Sequence, residues 1–301
     1  MRSVKEIFRS RPEQKEEEAV LPGRLQQTDM SYQVIVLDLD GTLLNSQKKI
    51  SARTKQALID AQKQGKKVIL ASGRPTAGVW PTARELELER YEGYILSFNG
   101  GMITDCKTGE IIHARQIPVE LNAAVIEEAK RQSCVLMTYS DELITNQADY
   151  RYVQLEYRGC QLPIHEFQDP EEMKAYVNFP VAKFIFTAEG EELAGIEPQV
   201  REHLGPAFAV YRSDPYFLEI VPAGVDKGQA LAHFTEVTGY GPEEMISCGD
   251  GYNDMPLIRY AGLGVAMANA IPEIREAADH ITASNDEDGV ALVVEKFMLD
   301  Q

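Results

Sequence analysis

Two aspartates one residue apart, Asp38 and Asp40, close the apolar run of VIVLDLDGTLLNS, and GDGYND near the other end of the chain holds a second pair, Asp250 and Asp254. Like charges at this spacing repel, and a partly dry setting leaves one of two such carboxyl groups holding a proton. A hard divalent cation removes the conflict, because Mg²⁺ takes carboxylate, water and phosphate oxygens as ligands. The sequence between the pairs supplies what an anion needs. ASGRP brings the hydroxyl of Ser72, the small Gly73 and the guanidinium of Arg74, and VDKGQAL brings the ammonium of Lys227. Carboxylates, a hydroxyl and an ammonium brought to one point would hold a divalent metal and a phosphate.

These side chains act together only if the fold gathers them. From residue 33 short apolar runs alternate with longer amphipathic segments, the grammar of βαβ units and a parallel sheet. VIVL is a continuous apolar strand, as expected where helices cover both sheet faces. ISARTKQALIDAQKQGKK follows as a helix capped by Ser51, with Ala57, Leu58 and Ala61 on one face and Gly65 as its stop. VILASGR repeats the strand-to-loop step, Pro75 suits the first turn of the next helix, and YILSFNGG is a third strand stopping at Asn99. Ligands of open parallel sheets bind at the carboxyl ends of strands, where Asp38, Ser72 and Asp250 all fall. After a hairpin of MITD and GEII, residues 114–213 mix helices and strands out of alternation and read as an α+β insert. Parallel grammar resumes at FLEIV. The expected organisation is an α/β, Rossmann-like doubly wound core over 30–113 and 214–301, interrupted by an α+β domain over 114–213.

DLDGTLLNS, ASGRP, the lysine of VDKGQAL and GDGYND resemble the four motifs of haloacid dehalogenase-superfamily phosphatases. SFNGG, PYFLEI and GVAMANAIPEIREAADHIT are similar to the Cof-type branch, most closely to YidA-like sugar phosphatases. The likeness runs from Met30 to the C-terminus. A lysine opening a helix is commonplace, and only its place 23 residues ahead of Asp250 makes Lys227 part of the pattern. The resemblance implies a C2-type cap over 114–213 and Mg²⁺-dependent hydrolysis of a phosphomonoester. Asp38 would be the nucleophile that becomes an aspartyl-phosphate. Asp40 would be the general acid and later the base, giving the metal only its backbone carbonyl. Asp38 and Asp250 would be the metal's carboxylates, with Asn253 and Asp254 holding coordinated water or neighbouring loops. Phosphate would rest on Ser72, Lys227 and the turns at Leu39, Gly41, Thr42 and Gly73, with Arg74 and Asn99 toward the leaving group. Within the insert, Tyr139, Asn146, Lys183, Arg212 and Asp214 are polar candidates for substrate choice, each equally readable as an ordinary surface side chain.

Two close carboxyl groups serve as nucleophile and acid only if their surroundings separate their pKa values. A metal-bound Asp38 would stay ionised while Asp40 carries the proton. Phosphomutase or phosphotransferase chemistry uses the same residues. A phospho-accepting signalling domain does too, but its ordinary single-domain length leaves no room for a long insert.

Composition narrows the classes. A formal charge of -17 and a pI near 4.8 leave no basic face for nucleic acid, and make a local positive cluster necessary for an anionic substrate. The 301 residues suggest two cores, and 44% hydrophobic residues are those of a globular protein. Cys106, Cys134, Cys160 and Cys248 show no paired or metal-ligand spacing, as for reduced thiols of a cytoplasmic protein. No run approaches the ~20 apolar residues of a membrane helix. Residues 1–29 are polar and broken by Pro12, Pro22 and Gly23, an accessory or disordered leader, with Met30 the expected functional start. The expected partner is a small phosphorylated metabolite, neither nucleic acid nor membrane. The aromatics of the insert suit a homodimer face as well as its own core.

Overall fold

The computed structural model describes residues 32–299. The expectations for residues 1–29 and for Met30 lie outside the described residues. Among the described residues fourteen strands form two sheets. The first contains β1 (Val34–Asp38), β2 (Lys67–Ala71), β3 (Tyr94–Ser97), β4 (Met102–Asp105) and β5 (Ile111–Ala114). The second is built from β6 (Val135–Tyr139), β7 (Leu143–Thr145), β8 (Ile164–Glu166), β9 (Phe184–Thr187), β10 (Phe208–Asp214) and β11 (Phe217–Pro222). The chain then returns to the first sheet with β12 (Met245–Gly249), β13 (Leu263–Ala266) and β14 (His280–Ile281).

The eight-stranded sheet has the order β14-β13-β12-β1-β2-β3-β4-β5. Strands from β14 through β3 run parallel, and the β4–β5 hairpin adds an antiparallel edge. The apolar run of β1 is explained by its two covered faces. Ile35 and Leu37 enter one cluster with Leu58, Val79 and Val294, whereas Val34 and Val36 enter another with Leu231 and Phe234. Chain order reverses between β1 and β12, so the crevice past their carboxyl ends is the switch point where such sheets bind ligands. Local signals place the covering helices. Ser51 accepts the Thr54 N–H to open the helix Ala52–Lys63, and Gly65, at φ 87°, lies just beyond its end. Asp226 accepts the Gln229 N–H to open Lys227–Thr238, which puts Lys227 in the first turn, pointed at the crevice loops.

The second sheet has the order β10-β11-β9-β6-β7-β8. FLEIV corrects the expectation from sequence: β11 pairs antiparallel with β9 and β10 and belongs to this sheet, not to the parallel one. The physical reason is its alternation. Leu218 and Ile220 pack into one apolar cluster of this sheet, while Phe217 and Glu219 face the other way. A strand of the doubly covered sheet would carry no such charge at its centre. The chain therefore leaves the second sheet after Pro222 rather than before Asp214.

Candidate active site

Asp38 ends β1, and its Oδ1 accepts from Lys227 Nζ at 2.7 Å. The same ammonium donates to Asp254 Oδ1 at 2.6 Å, and Lys227 is fully buried. Asp254 Oδ2 accepts the backbone N–H groups of Asp250 and Gly251, both at 3.0 Å, which folds the loop after β12 around it. Asp250 is held from the other side by the Thr42 hydroxyl, which donates to Oδ1 at 2.8 Å. Gly41 makes room for this contact. A Cβ there would stand 2.3 Å from Asp250 Oδ2, and its φ of 87° suits glycine. Asn269 fixes the same turn by donating to the Gly41 carbonyl at 2.8 Å.

Carboxylate oxygens of Asp38, Asp250 and Asp254 approach within 4.8 Å of one another. Three acids share one ammonium, and their protonation shows the deficit. Burial, then Asp254, push Asp38 up to about 8 against the pull of Lys227. Burial likewise lifts Asp250 to about 6 despite the Thr42 hydrogen bond. Burial alone would lower Lys227, but Asp254 and Asp38 outweigh it and keep the ammonium charged. A hard divalent cation fits this donor set, all oxygen and short of positive charge. Both oxygens of Asp254 are engaged, whereas Asp38 Oδ2 and Asp250 Oδ2 accept no hydrogen bond among the described residues. Asp38 and Asp250 are thus the available ligands, with Asp254 tying Lys227 to the loop.

Asp40 is held by two cations. Arg74 grips it as a fork, Nε to Oδ2 at 2.9 Å and Nη2 to Oδ1 at 2.7 Å, and Lys48 Nζ donates to Oδ1 at 2.7 Å. Burial raises its pKa, but Lys48 and Arg74 together outweigh that and hold Asp40 below the usual carboxylate range. Without a cation Asp38 is thus lifted and Asp40 lowered, whereas the expected order, Asp38 ionised and Asp40 protonated, is that of a metal-bound Asp38. Lys48 was not a candidate from sequence. Its contact depends on a left-handed turn, φ 58°, that no residue type announced.

The remaining candidates divide. Ser72, buried at the end of β2, accepts the Arg74 N–H at 3.2 Å rather than capping the helix Thr76–Glu85. Asn99, at φ 55°, accepts from Asn253 Nδ2 at 3.1 Å, bridging the loops after β3 and β12. A cavity of about 430 Å³ joins Asp38, Asp40, Ser72, Gly73, Arg74, Asn99, Asp250, Asn253 and Asp254 to the second sheet. Of the insert's candidates, Lys183 and Asp214 line this cavity. Tyr139 supports it indirectly, donating to Glu156 at 2.7 Å. Arg212 bonds Glu197, and Asn146 turns away to bond Leu136 and Cys134. Glu156 and Glu219 line the cavity and were missed, although a glutamate inside FLEIV was the available signal. All four cysteines are free and buried, outside this site. No helix among the described residues is long and apolar enough to cross a membrane.

Comparison with known proteins agrees with this geometry. The family model of haloacid dehalogenase-like hydrolases matches residues 35–294. The chain is 31% identical over 274 residues to "Putative phosphatase M6_Spy0533" of Streptococcus pyogenes, covering 90% of this chain and 100% of that one. A haloacid dehalogenase-like hydrolase from Bacteroides thetaiotaomicron superposes with a TM-score of 0.84 at 42% identity, over 88% of this chain and 99% of its own. BT4131, described as a subclass IIB sugar phosphatase, superposes with a TM-score of 0.71 at 25% identity, over 88% of this chain and 98% of its own.

Proposed function

The chain belongs to the haloacid dehalogenase-like hydrolases and is a phosphatase, and from that premise we propose that it hydrolyses small phosphometabolites, sugar phosphates or similar, using Mg²⁺ and an aspartyl-phosphate on Asp38. The observation that carries this reading is the buried cluster of Asp38, Lys227 and Asp254 beside Asp250 at the sheet's switch point. The likeness to a sugar phosphatase supports the substrate class.

Asp38 attacks phosphorus, forming an O–P bond as the bond to the leaving oxygen breaks. Asp40 gives that oxygen its proton, then takes one from the water that attacks the aspartyl-phosphate, releasing phosphate and restoring Asp38. Mg²⁺ held by Asp38, Asp250 and the Asp40 carbonyl would supply the positive charge that keeps Asp38 ionised and offsets the phosphoryl oxygens. Lys227, Ser72, Thr42 and the backbone at Leu39, Gly41 and Gly73 complete the clamp, although the Thr42 hydroxyl itself serves Asp250. Arg74 and Lys48 must release Asp40 before it can carry a proton, and Arg74, freed, reaches toward the leaving group together with Asn99. General acid catalysis gives only ~10²–10⁴ of an acceleration that can approach ~10²¹ for phosphate monoesters, so charge and positioning carry most of it. The six-stranded sheet and its helices act as the cap that excludes water and meets the leaving group.

Phosphate release from a panel of phosphorylated sugars and from p-nitrophenyl phosphate tests this, with EDTA expected to abolish it. In ¹⁸O-labelled water the released phosphate should carry label. Its absence would turn the reading to transfer onto a second hydroxyl.

A further inference from the structure

Lys183 and Glu219 are 4% and 5% exposed, yet both line the cavity that holds Asp38 and Asp250. A buried ion pair seldom stabilises a fold more than apolar residues of the same volume, so stability does not explain a charged wall here. The Lys183 ammonium engages two of its three donors within the protein, to Glu219 at 3.0 Å and to the Gly73 carbonyl at 3.2 Å, and lies 5.7 Å from the centre of the Tyr139 ring. The tyrosine hydroxyls beside it are also engaged as donors, Tyr211 to Glu219 at 3.3 Å and Tyr139 to Glu156 at 2.7 Å. Lys183, Tyr139 and Tyr211 thus each donate to an acceptor within the protein.

What the wall leaves open is acceptors. Asp214 has no hydrogen-bond or ion-pair partner among the described residues, and Glu156 has only the tyrosine. Burial, then Glu219 and Glu156, push the Asp214 carboxyl above its ordinary value, as expected of an acid facing acids without a cation. With Lys183 paired to Glu219, the carboxyl groups of Glu156 and Asp214 face the cavity from this side without a cation.

We propose that this wall, through the open acceptors of Glu156 and Asp214 and with Glu219 holding Lys183 neutral behind them, selects leaving alcohols that bring hydrogen-bond donors and no negative charge, and favours an amine-bearing alcohol over its hydroxyl counterpart. The selection rests on the phosphatase reading above. A second phosphate or a carboxylate held against this wall, on the side of the cavity away from Arg74, would meet like charge and unpaired acceptors, whereas an ammonium there would supply the missing cation.

The test compares kcat/KM for 2-amino-2-deoxyglucose 6-phosphate, glucose 6-phosphate and 6-phosphogluconate, with the full chain in Mg²⁺ at low salt and p-nitrophenyl phosphate as a reporter of hydrolysis itself. The amine is expected to exceed the gluconate by about tenfold or more, and added salt should shrink the gap. Asp214→Asn should cut that ratio by roughly threefold, and Glu219→Gln should move it the same way. Should Glu219→Gln fail to fold, Asp214→Asn decides, because its side chain is exposed and unpartnered. Equal rates on the three sugars, preference for the gluconate, or hydrolysis of p-nitrophenyl phosphate with none of the sugars accepted would overturn the selection while leaving the phosphatase reading intact. No hydrolysis of any ester would overturn both.

Discussion

Lys227 lies between Asp38 and Asp254 with no exposure to solvent, so its removal strands two carboxylates in a dry site. Lys227→Met should cost about 3–5 kcal/mol of folding stability by urea denaturation, since the acids left behind lose their only buried cation. Near pH 5 the cost should be smaller than near pH 8, because the stranded carboxyls can then take up protons. Asp38→Asn should abolish phosphate release, with a residual rate of a few per cent counting against the nucleophile assignment once deamidation is excluded. The same substitution removes a buried charge, so it should leave the metal-free Tm at pH 8 unchanged or higher, which separates lost chemistry from lost structure. At Gly41 two penalties coincide. Gly41→Ala puts a Cβ 2.3 Å from Asp250 Oδ2 in a left-handed backbone, and should cost about 1–2 kcal/mol in Tm-derived stability and most of the activity.

At the scale of elements, β1 fixes the reacting carboxylate by packing on both faces. Leu37→Ala, one residue before Asp38, should cost about 2–5 kcal/mol by denaturation and lower activity through displacement of Asp38. The strands carrying Asp38, Ser72, Asn99 and Asp250 were legible in the sequence because each is an apolar run broken by polar, glycine-containing loops. The helix after β1 was legible through its cap at Ser51. β11 was not, because FLEIV taken whole looks like a strand of the parallel sheet, and only Glu219 betrays a strand with one face on the site cavity. Nor was the Asp40 environment legible. Its fork to Arg74 and its contact with Lys48 depend on how two loops meet, and the motif spacing is silent about that. Arg212 and Asn146 have suitable chemistry but face Glu197 and the β6 backbone, a matter of register that composition does not reveal.

Across the whole molecule, the acid cluster ties stability to pH. In the metal-free folded chain Asp38 and Asp250 hold protons up to about 8 and about 6, where unfolded aspartates have already lost theirs. At these two groups the folded state thus binds more protons than the unfolded one from about pH 4 to about pH 8, a contribution that lowers stability as pH rises through that window, while His113 and His280, whose pKa values burial lowers, oppose it through the ordinary histidine range. Lys227, whose folded pKa is raised, contributes evenly below about pH 10, and Asp40, whose pKa is lowered, matters only below about pH 4, so neither reverses the trend. The Tm of metal-free protein should decline from pH 5 to pH 8, and excess Mg²⁺ should raise Tm more at pH 8 than at pH 5. Scanning calorimetry with and without EDTA checks both, and a flat profile would count against the cluster as a cation site. The cluster is also assembled from distant stretches of chain: 189 positions separate Asp38 from Lys227, and 208 separate Thr42 from Asp250. A chain leaving the ribosome therefore carries β1 past the whole six-stranded sheet before its neighbour β12 exists. Until the loop after β12 has been made, the nascent protein has only Asp38 of the three clustered acids, and Lys227 has no Asp254 to hold it, so the first half of the site waits for the second.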